Sequence, residues 1–408
     1  LSVNKMEIKI LSRETKTIRP SFTSSTPKHP ATFNLTVLDQ ISPQFYMLII
    51  LYYSPVHKLS IPETSHHLQK SFSETLARFY PLAGRMRDDW TCVDCNDEGA
   101  LYVEARVEGD MSSVALSQQT TEGLQNLLPL NPHGEIPDEL SSQVIVAVQV
   151  NHFDCGGIAI AVCLWHEVAD ASTLANFIKI WAEIARGHRV EETVDDLVID
   201  NTSIFIPQDM TSPTAPIFFK KPAPVTDSLT MKKFLFLSSK ISSLQKQVTG
   251  SDLRRPTRFE TLSALLWGAF AAINSGEEQD NTVSGVNLLL ALDLRKRLDP
   301  QLPGCSIGNV SQSIPAFWPL NSISVDGSNL TEYYNLLAEK IRDTMKSLTD
   351  EHIRKFHGGG GLYKMLMEVG RNKPKEGEEG KKKKMFGMTS LCRFPFYESD
   401  FGWGKPIW

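Results

Sequence analysis

VIVAVQVNHFDCGGIAIAVCLWHEVADASTLANFIKIWAEIA, residues 144–185, is the stretch whose reading decides the class of fold. VIVAVQVNHF and IAIAVCLWH are apolar runs rich in β-branched residues on either side of Asp154-Cys155-Gly156-Gly157. They predict a β-hairpin in which Gly156 and Gly157 supply the positive φ of the turn. From Asp170 the period changes. Leu174, Phe177, Ile178, Trp181 and Ala185 recur at helical spacing, and Asp170 or Ser172 is a good N-cap, so a helix is expected. His166 thus lies between the end of a strand and the start of a helix.

The same alternation continues outward in both directions. PETSHHLQKSFSETLARF (62–79) places Leu68, Phe72, Leu76 and Phe79 on one helical face and stops before Tyr80-Pro81. TCVDCNDEGALYVEARV (91–107) predicts two short strands forming a hairpin around an Asn-Asp-Glu-Gly turn. The stretch 190–225 carries Pro207, Pro213, Pro216, Pro222 and Pro224 with little periodicity, as a crossover between lobes would. Beyond it, TMKKFLFLSSKISSLQKQV (230–248) predicts a strand leading into a helix and TRFETLSALLWGAFAAI (257–273) a helix. VSGVNLLLALDLRKRL (283–298) predicts a buried strand ending in a basic cluster, and NLTEYYNLLAEKIRDTMKSL (329–348) a further helix. The expected division is an N-terminal lobe over 1–190, a linker over 191–225 and a C-terminal lobe over 226–408. No internal repeat is visible.

Composition narrows the function classes. A chain of 408 residues suggests two or three domains, and 41% apolar with 22% charged residues is ordinary for a globular protein. The formal charge of −5 and the lack of a basic stripe argue against nucleic acid as a partner. Six cysteines are too few for a disulfide framework, and Cys92-x-x-Cys95 has no second pair at zinc spacing, so no metal is expected. The first residues lack the apolar core of a secretory signal, and no run reaches about 18 apolar residues. A cytoplasmic protein with no membrane association is expected, its sequons at Asn34 and Asn309 being chance matches and Met6 its natural start. HGGGG (357–361) lacks the Gly-Lys-Ser/Thr ending of a phosphate cradle, and KPKEGEEGKKKK (373–384) reads as a solvated loop.

The chemistry-bearing candidate is WHEVAD (165–170), an imidazole with a carboxylate four positions on. Imidazole suits general-base work because it titrates near neutrality. A strand-end histidine is nonetheless more often a packing residue than a catalyst, and the strand–turn–helix setting need not bring Asp170 face to face with His166.

A second motif changes the weight of the first. SLCRFPFYESDFGWGKP (390–406) contains DFGWG at 400–404, and HxxxD followed far downstream by DFGWG resembles the BAHD family of plant acyl-CoA-dependent acyltransferases. LDQ (38–40), FYPLAGR (79–85), VDCNDEG (93–99), FDCGG (153–157), LRKRLDPQLP (294–303) and Gly308-Asn309 agree with the family in order, so the resemblance spans essentially the whole chain. It is nearest in look to members that O-acetylate alkaloid alcohols.

The resemblance implies an α/β fold of two chloramphenicol-acetyltransferase-like lobes, each a mixed sheet with flanking helices, with an active-site channel between them. It implies His166 as general base, Asp170 turned away from the reaction centre and paired with Arg295, and Thr389 and Ser390 as donors to the tetrahedral intermediate or to the pantetheine arm. Asp400, Gly402, Trp403 and Gly404 take a structural role, and the segment near 362–388 is expected to pack back on the first lobe. It further implies acyl-CoA, acetyl-CoA in the first place, as co-substrate rather than bound cofactor, an alcohol acceptor, and a monomer. Many relatives carry Trp at the position of Leu391, and family members continue past the position of Trp408 with a strand-and-helix tail. N-acylation of an amine and a non-catalytic, ligand-binding relative are the competing functions.

Overall fold

A computed structural model of the chain describes residues 8–22, 29–55, 60–115, 123–131, 142–188, 197–209, 231–248, 255–275, 283–320, 329–358, 361 and 382–408. Most of the linker 191–225, and residues 362–381 of the segment 362–388 expected to pack back on the first lobe, lie outside them. The chain divides into two compact units. One comprises residues 1–233, 302–310 and 394–408, and the other 234–301 and 311–393.

The first unit is built on a five-stranded sheet. Its strands are β1 (Ile10–Ile18), β3 (Tyr46–Tyr53), β6 (Ala100–Val107), β7 (Val146–Phe153) and β8 (Ile158–Trp165), in the order β1-β6-β7-β8-β3. Only β6 and β7 run parallel. The hairpin read from the sequence is β7–β8, and Gly156, at φ 82°, supplies the left-handed turn residue. Gly157 has another reason to be glycine, because an added Cβ would come within 2.9 Å of the sulfur of Met111, the first residue of the short helix α3 (Met111–Ala115).

Every residue of β7 and β8 is buried, as expected of strands covered on both faces. Helices α2 (Ile61–Arg78) and α4 (Ala171–Ala185) supply one cover; the Trp181 indole donates to Ser71 Oγ at 3.1 Å, and its ring centroid lies 5.0 Å from that of Phe72. Gln149 and Asn151 are polar and fully buried in β7. Both are satisfied: Arg13 donates to Gln149 Oε1 at 2.8 Å, and the two amides donate to the carbonyls of Asn126 and Leu127.

A small sheet in this unit joins β2 (Thr32–Asn34), β4 (Arg85–Met86) and β5 (Cys92–Asp94) in the order β2-β5-β4. This corrects the hairpin expected over 91–107. Both strands form, but β5 pairs with β2 and β4 while β6 joins the large sheet. Gly99, at φ 92°, turns the chain from one sheet to the other, and a Cβ there would strike the Ile18 carbonyl.

The second unit holds a three-stranded sheet, β10 (Ser311–Pro319), β9 (Val283–Asp293) and β11 (Lys382–Met388), with β9 central. Val286, Leu288 and Leu290 of β9 are fully buried. Its helices are α5 (Ser238–Gln247), α6 (Arg258–Ser275), α7 (Leu330–Ser347) and α8 (Asp350–Gly358). Helices α6 and α7 cross closely at Gly268, where any side chain would collide with Tyr334 at 2.6 Å. Arg342 clasps the buried Glu260 through two hydrogen bonds of 3.1 and 3.0 Å. The strand expected over 231–237 is a second correction. This stretch joins no ladder, and Phe234 and Leu235 are 73% and 56% exposed. The apolar run Phe234–Leu237 suits a strand, but a strand also requires a neighbour to pair with.

Among the described residues no helix is long and apolar enough to cross a membrane, and no cluster of His, Cys, Asp and Glu could hold a metal. Cys92 and Cys95 are free buried thiols, and burial pushes that of Cys95 up to about 12.

Candidate active site

His166 begins the turn that follows β8, and three hydrogen bonds and one ring contact fix it. Its N–H donates to the Phe45 carbonyl at 3.0 Å, one step beyond the Tyr46–Trp165 pair of the β3–β8 ladder. Its carbonyl accepts from Asn309 Nδ2 at 2.6 Å, and its Nδ1 lies 3.1 Å from Asn309 Oδ1. The Phe45 ring stands edge-on to the imidazole at 5.3 Å. His166 itself is only partly buried.

Asn309 belongs to the segment 302–310, which packs within the first unit. Its backbone N–H donates to Asp39 Oδ1 at 2.6 Å, and its Nδ2 donates to the same oxygen at 3.0 Å. Asp39 is the third residue of the four-residue helix α1 (Val37–Gln40), where its Oδ2 accepts from the N–H and hydroxyl of Thr36 to close a capping box. Burial outweighs these hydrogen bonds, and the Asp39 carboxyl is pushed up to about 6.

This chain of contacts assigns the imidazole tautomer. Two acceptors, Asp39 Oδ1 and the His166 carbonyl, hold the Asn309 NH2 and so fix which amide atom is oxygen. Amide oxygen cannot donate, so the Nδ1 facing it carries the proton. In the neutral ring Nε2 then keeps its lone pair, the form a general base requires.

Asp170 does something else. Its Oδ1 accepts from the N–H of Thr173 at 3.0 Å, capping α4, and its Oδ2 accepts from the N–H of Val310 at 3.0 Å. One oxygen thus caps α4, and the other holds the backbone next to Asn309. Arg295 is buried in the second unit, where it donates to Asp293 Oδ1 at 3.1 Å. Thr389 and Ser390 follow β11 in that same unit, and Ser390 Oγ accepts from the N–H of Cys392 at 3.5 Å.

The 400–404 motif lies in the first unit. Asp400 Oδ1 accepts from the N–H groups of Gly402 and Gly404 at 2.8 and 2.9 Å, across two glycines at φ 105° and 110°. Phe401 is the buried ring, 4.8 Å from Trp181 and 5.8 Å from Tyr53, while Trp403 is half-buried and stacks on Phe401. Tyr53 pairs with Ile158, seven steps along β8 from Trp165, or roughly 23 Å at the usual strand rise.

Asp39 and Asn309 fall within the stretches LDQ and Gly308-Asn309, but sequence reasoning gave neither residue a role. Nor did it single out Glu167. Glu167 is buried beside His166, accepting from Gln44 Nε2 and from the Trp165 indole, each at 2.9 Å. Burial pushes its carboxyl up to about 7.

A family model described as Transferase family matches residues 8–408. The chain belongs to the BAHD acyltransferases. It is 38% identical to a limonoid 21-O-acetyltransferase of Citrus sinensis over 97% of this chain and 86% of the relative. It is 32% identical to salutaridinol 7-O-acetyltransferase of Papaver somniferum over 98% and 88% of the two chains. The crystal structure of vinorine synthase superposes with a TM-score of 0.76 at 30% identity, covering 98% of this chain and 87% of that one. This BAHD member is therefore an acyl-CoA-dependent acyltransferase, with the mixed α/β fold its motifs imply.

Proposed function

We propose that this chain transfers an acetyl group from acetyl-CoA to a hydroxyl of a plant specialised metabolite, with His166 as general base. One observation carries the reading: Asn309, itself held by Asp39, leaves Nε2 of His166 with a free lone pair. The O-acetylated limonoid and alkaloid scaffolds in the names of its relatives support the choice of acceptor class. In a ternary complex, Nε2 takes the hydroxyl proton as the acceptor oxygen attacks the thioester carbonyl. The tetrahedral oxyanion then collapses, the C–S bond breaks, and the departing thiolate takes the proton from the imidazolium. The products are the acetyl ester and free CoA. General-base assistance of this kind is worth about 10²–10⁴ in rate.

The pairing of Asp170 with Arg295 and the donor roles of Thr389 and Ser390 are parts of the same proposal, and the family resemblance supports them. The expectation of a monomer in the cytoplasm belongs to the same proposal.

The test is to incubate the chain with acetyl-CoA and a panel of hydroxylated limonoids and alkaloids while following free thiol. Acetyl transfer should appear with the native chain and vanish in His166→Ala at unchanged folded yield. Near-normal turnover by that variant would remove the base assignment.

A further inference from the structure

The imidazole is clamped from a second side, by a contact at the end of the β3–β8 ladder. The register Tyr46–Trp165 places Phe45 opposite His166 and Gln44 opposite Glu167. The backbone bond of the His166–Phe45 rung is the N–H of His166 to the Phe45 carbonyl. At the next rung the connection is made by side chains, as Gln44 Nε2 donates to Glu167 Oε1 at 2.9 Å. The other oxygen of Glu167 accepts from the indole of Trp165 at 2.9 Å. One carboxylate thus bonds to residue 165 on one strand and residue 44 on the other, bracketing the rung that carries the imidazole and the phenyl ring set against it.

Resting on the assignment of His166 as the base, we propose that Glu167 is a positioning residue, its carboxylate locking the Gln44 loop so that Phe45 holds the imidazole in register. Beside this side-chain contact, backbone bonds of His166 and Val168 tether the turn 166–168. Gln44 precedes Phe45 directly, so any slip of Gln44 moves both the carbonyl that receives the His166 N–H and the ring packed on the imidazole. An error of about 1 Å in the placing of a catalytic group can cost about 100-fold in rate, so a partial slip has a measurable effect.

The chemistry of the pair makes the proposal separable from general packing. A carboxylate is matched to two donors, an amide NH2 and an indole N–H. Gln44 Oε1 is buried and has no hydrogen-bond partner among the described residues. It gains one only if Gln44 turns over to face a donor at position 167. Glu167→Gln supplies such a donor while its own oxygen still accepts from Trp165, and Glu167→Ala supplies nothing.

The test uses the full chain and two measurements. One is steady-state kinetics with acetyl-CoA and a hydroxylated limonoid. The other is the rate at which bromoacetyl-CoA alkylates His166, mapped by peptide mass, which needs no acceptor. Glu167→Ala and Gln44→Ala should each lower kcat and the alkylation rate about 10-fold, with KM for acetyl-CoA held within about twofold. Their effects should not add in the double variant. Glu167→Gln should lose markedly less than Glu167→Ala, and the exchanged pair Gln44→Glu with Glu167→Gln should recover most of the loss.

Gln44→Ala keeps the outcome readable even if Glu167→Ala folds poorly. Native kcat and native alkylation in Gln44→Ala would overturn the proposal, as would full additivity. His166→Ala in the same assay separates the two readings. If it is inactive while the clamp variants are normal, only the positioning role fails. If it turns over, the base assignment itself fails.

Discussion

Asn309 donates through Nδ2 to the carbonyl of His166 at 2.6 Å and turns its Oδ1 to the Nδ1 of the same residue at 3.1 Å, gripping one histidine by backbone and ring together. The grip is itself secured, because Asp39 binds both the backbone and the side-chain nitrogen of Asn309. Ring orientation and tautomer are thereby set by the protein alone, so that under the proposed mechanism the acceptor hydroxyl would meet a lone pair already directed.

Removing that grip should affect turnover more than binding. Asn309→Ala frees the imidazole to rotate and to exchange tautomers, and kcat is expected to fall about 100-fold. KM for acetyl-CoA should move by no more than about threefold, because Asn309 contacts the base rather than the thioester. A raised KM at native kcat would show that Asn309 serves substrate binding instead.

Asp170→Ala should be a stability lesion. It removes the cap of α4, worth about 1 kcal/mol, and leaves the buried N–H of Val310 without this acceptor, worth about 1–3 kcal/mol more. At about 2–4 °C per kcal/mol, calorimetry should record a Tm lower by roughly 5–15 °C. Turnover per folded molecule should fall far less than in His166→Ala. An unchanged Tm would contradict the scaffold role.

These contacts also mark how far the sequence could be read. The β7–β8 hairpin, helix α4 and its Asp170 cap are local, set by period and by residues three or four positions apart. The acceptors of Asp39 and the donors of Asn309 stand 270 residues apart, and Asn309 and His166 stand 143 apart. No periodicity carries such distances. Locally, Asp39 completes a capping box with Thr36, which hides its second use. The Gln44–Glu167 contact required the register of two strands separated by more than 100 residues. The segment 302–310 likewise follows β9 of the second unit in sequence yet packs in the first, a return no linear division of the chain contains.

Two opposed sets of buried groups should make stability nearly level in mild acid. Asp39 and Glu167, raised to about 6 and about 7, bind a proton more tightly when folded, so each contributes stability that is present at low pH and lost as pH rises through those values. His152 and His357 are pushed down to about 4 by burial, so the stability each contributes is lost as pH falls from 6.5 toward 4. Carboxyls held low, such as Glu260 beside Arg342, act only below their ordinary 4.5. Tm should therefore change little between about pH 4.5 and 6.5 and decline slightly above, as Glu167 ionises. His152→Phe removes one opposing group, and its Tm should fall as pH rises across the same interval. A wild-type Tm climbing steeply from pH 4.5 to 6.5 would show that the two carboxyls are not held protonated.

The motif at 400–404 should prove separable from catalysis. Asp400 Oδ1 organises a turn at the Tyr53 end of β3, roughly 26 Å along the strands from His166. Asn at position 400 keeps an acceptor oxygen and should cost little. Asp400→Ala leaves two N–H groups to solvent and loosens the approach of Phe401 to Trp181 and Tyr53, at about 1–2 kcal/mol. Gly404→Ala meets no atom within 4 Å but must adopt φ 110°, so its cost is backbone strain alone, about 1–3 kcal/mol. The two effects are expected in the denaturation midpoint, with kcat per folded molecule as in the native chain. A kcat loss in Asp400→Ala that Asp400→Asn restores, at equal Tm in both, would place this turn in the chemistry after all.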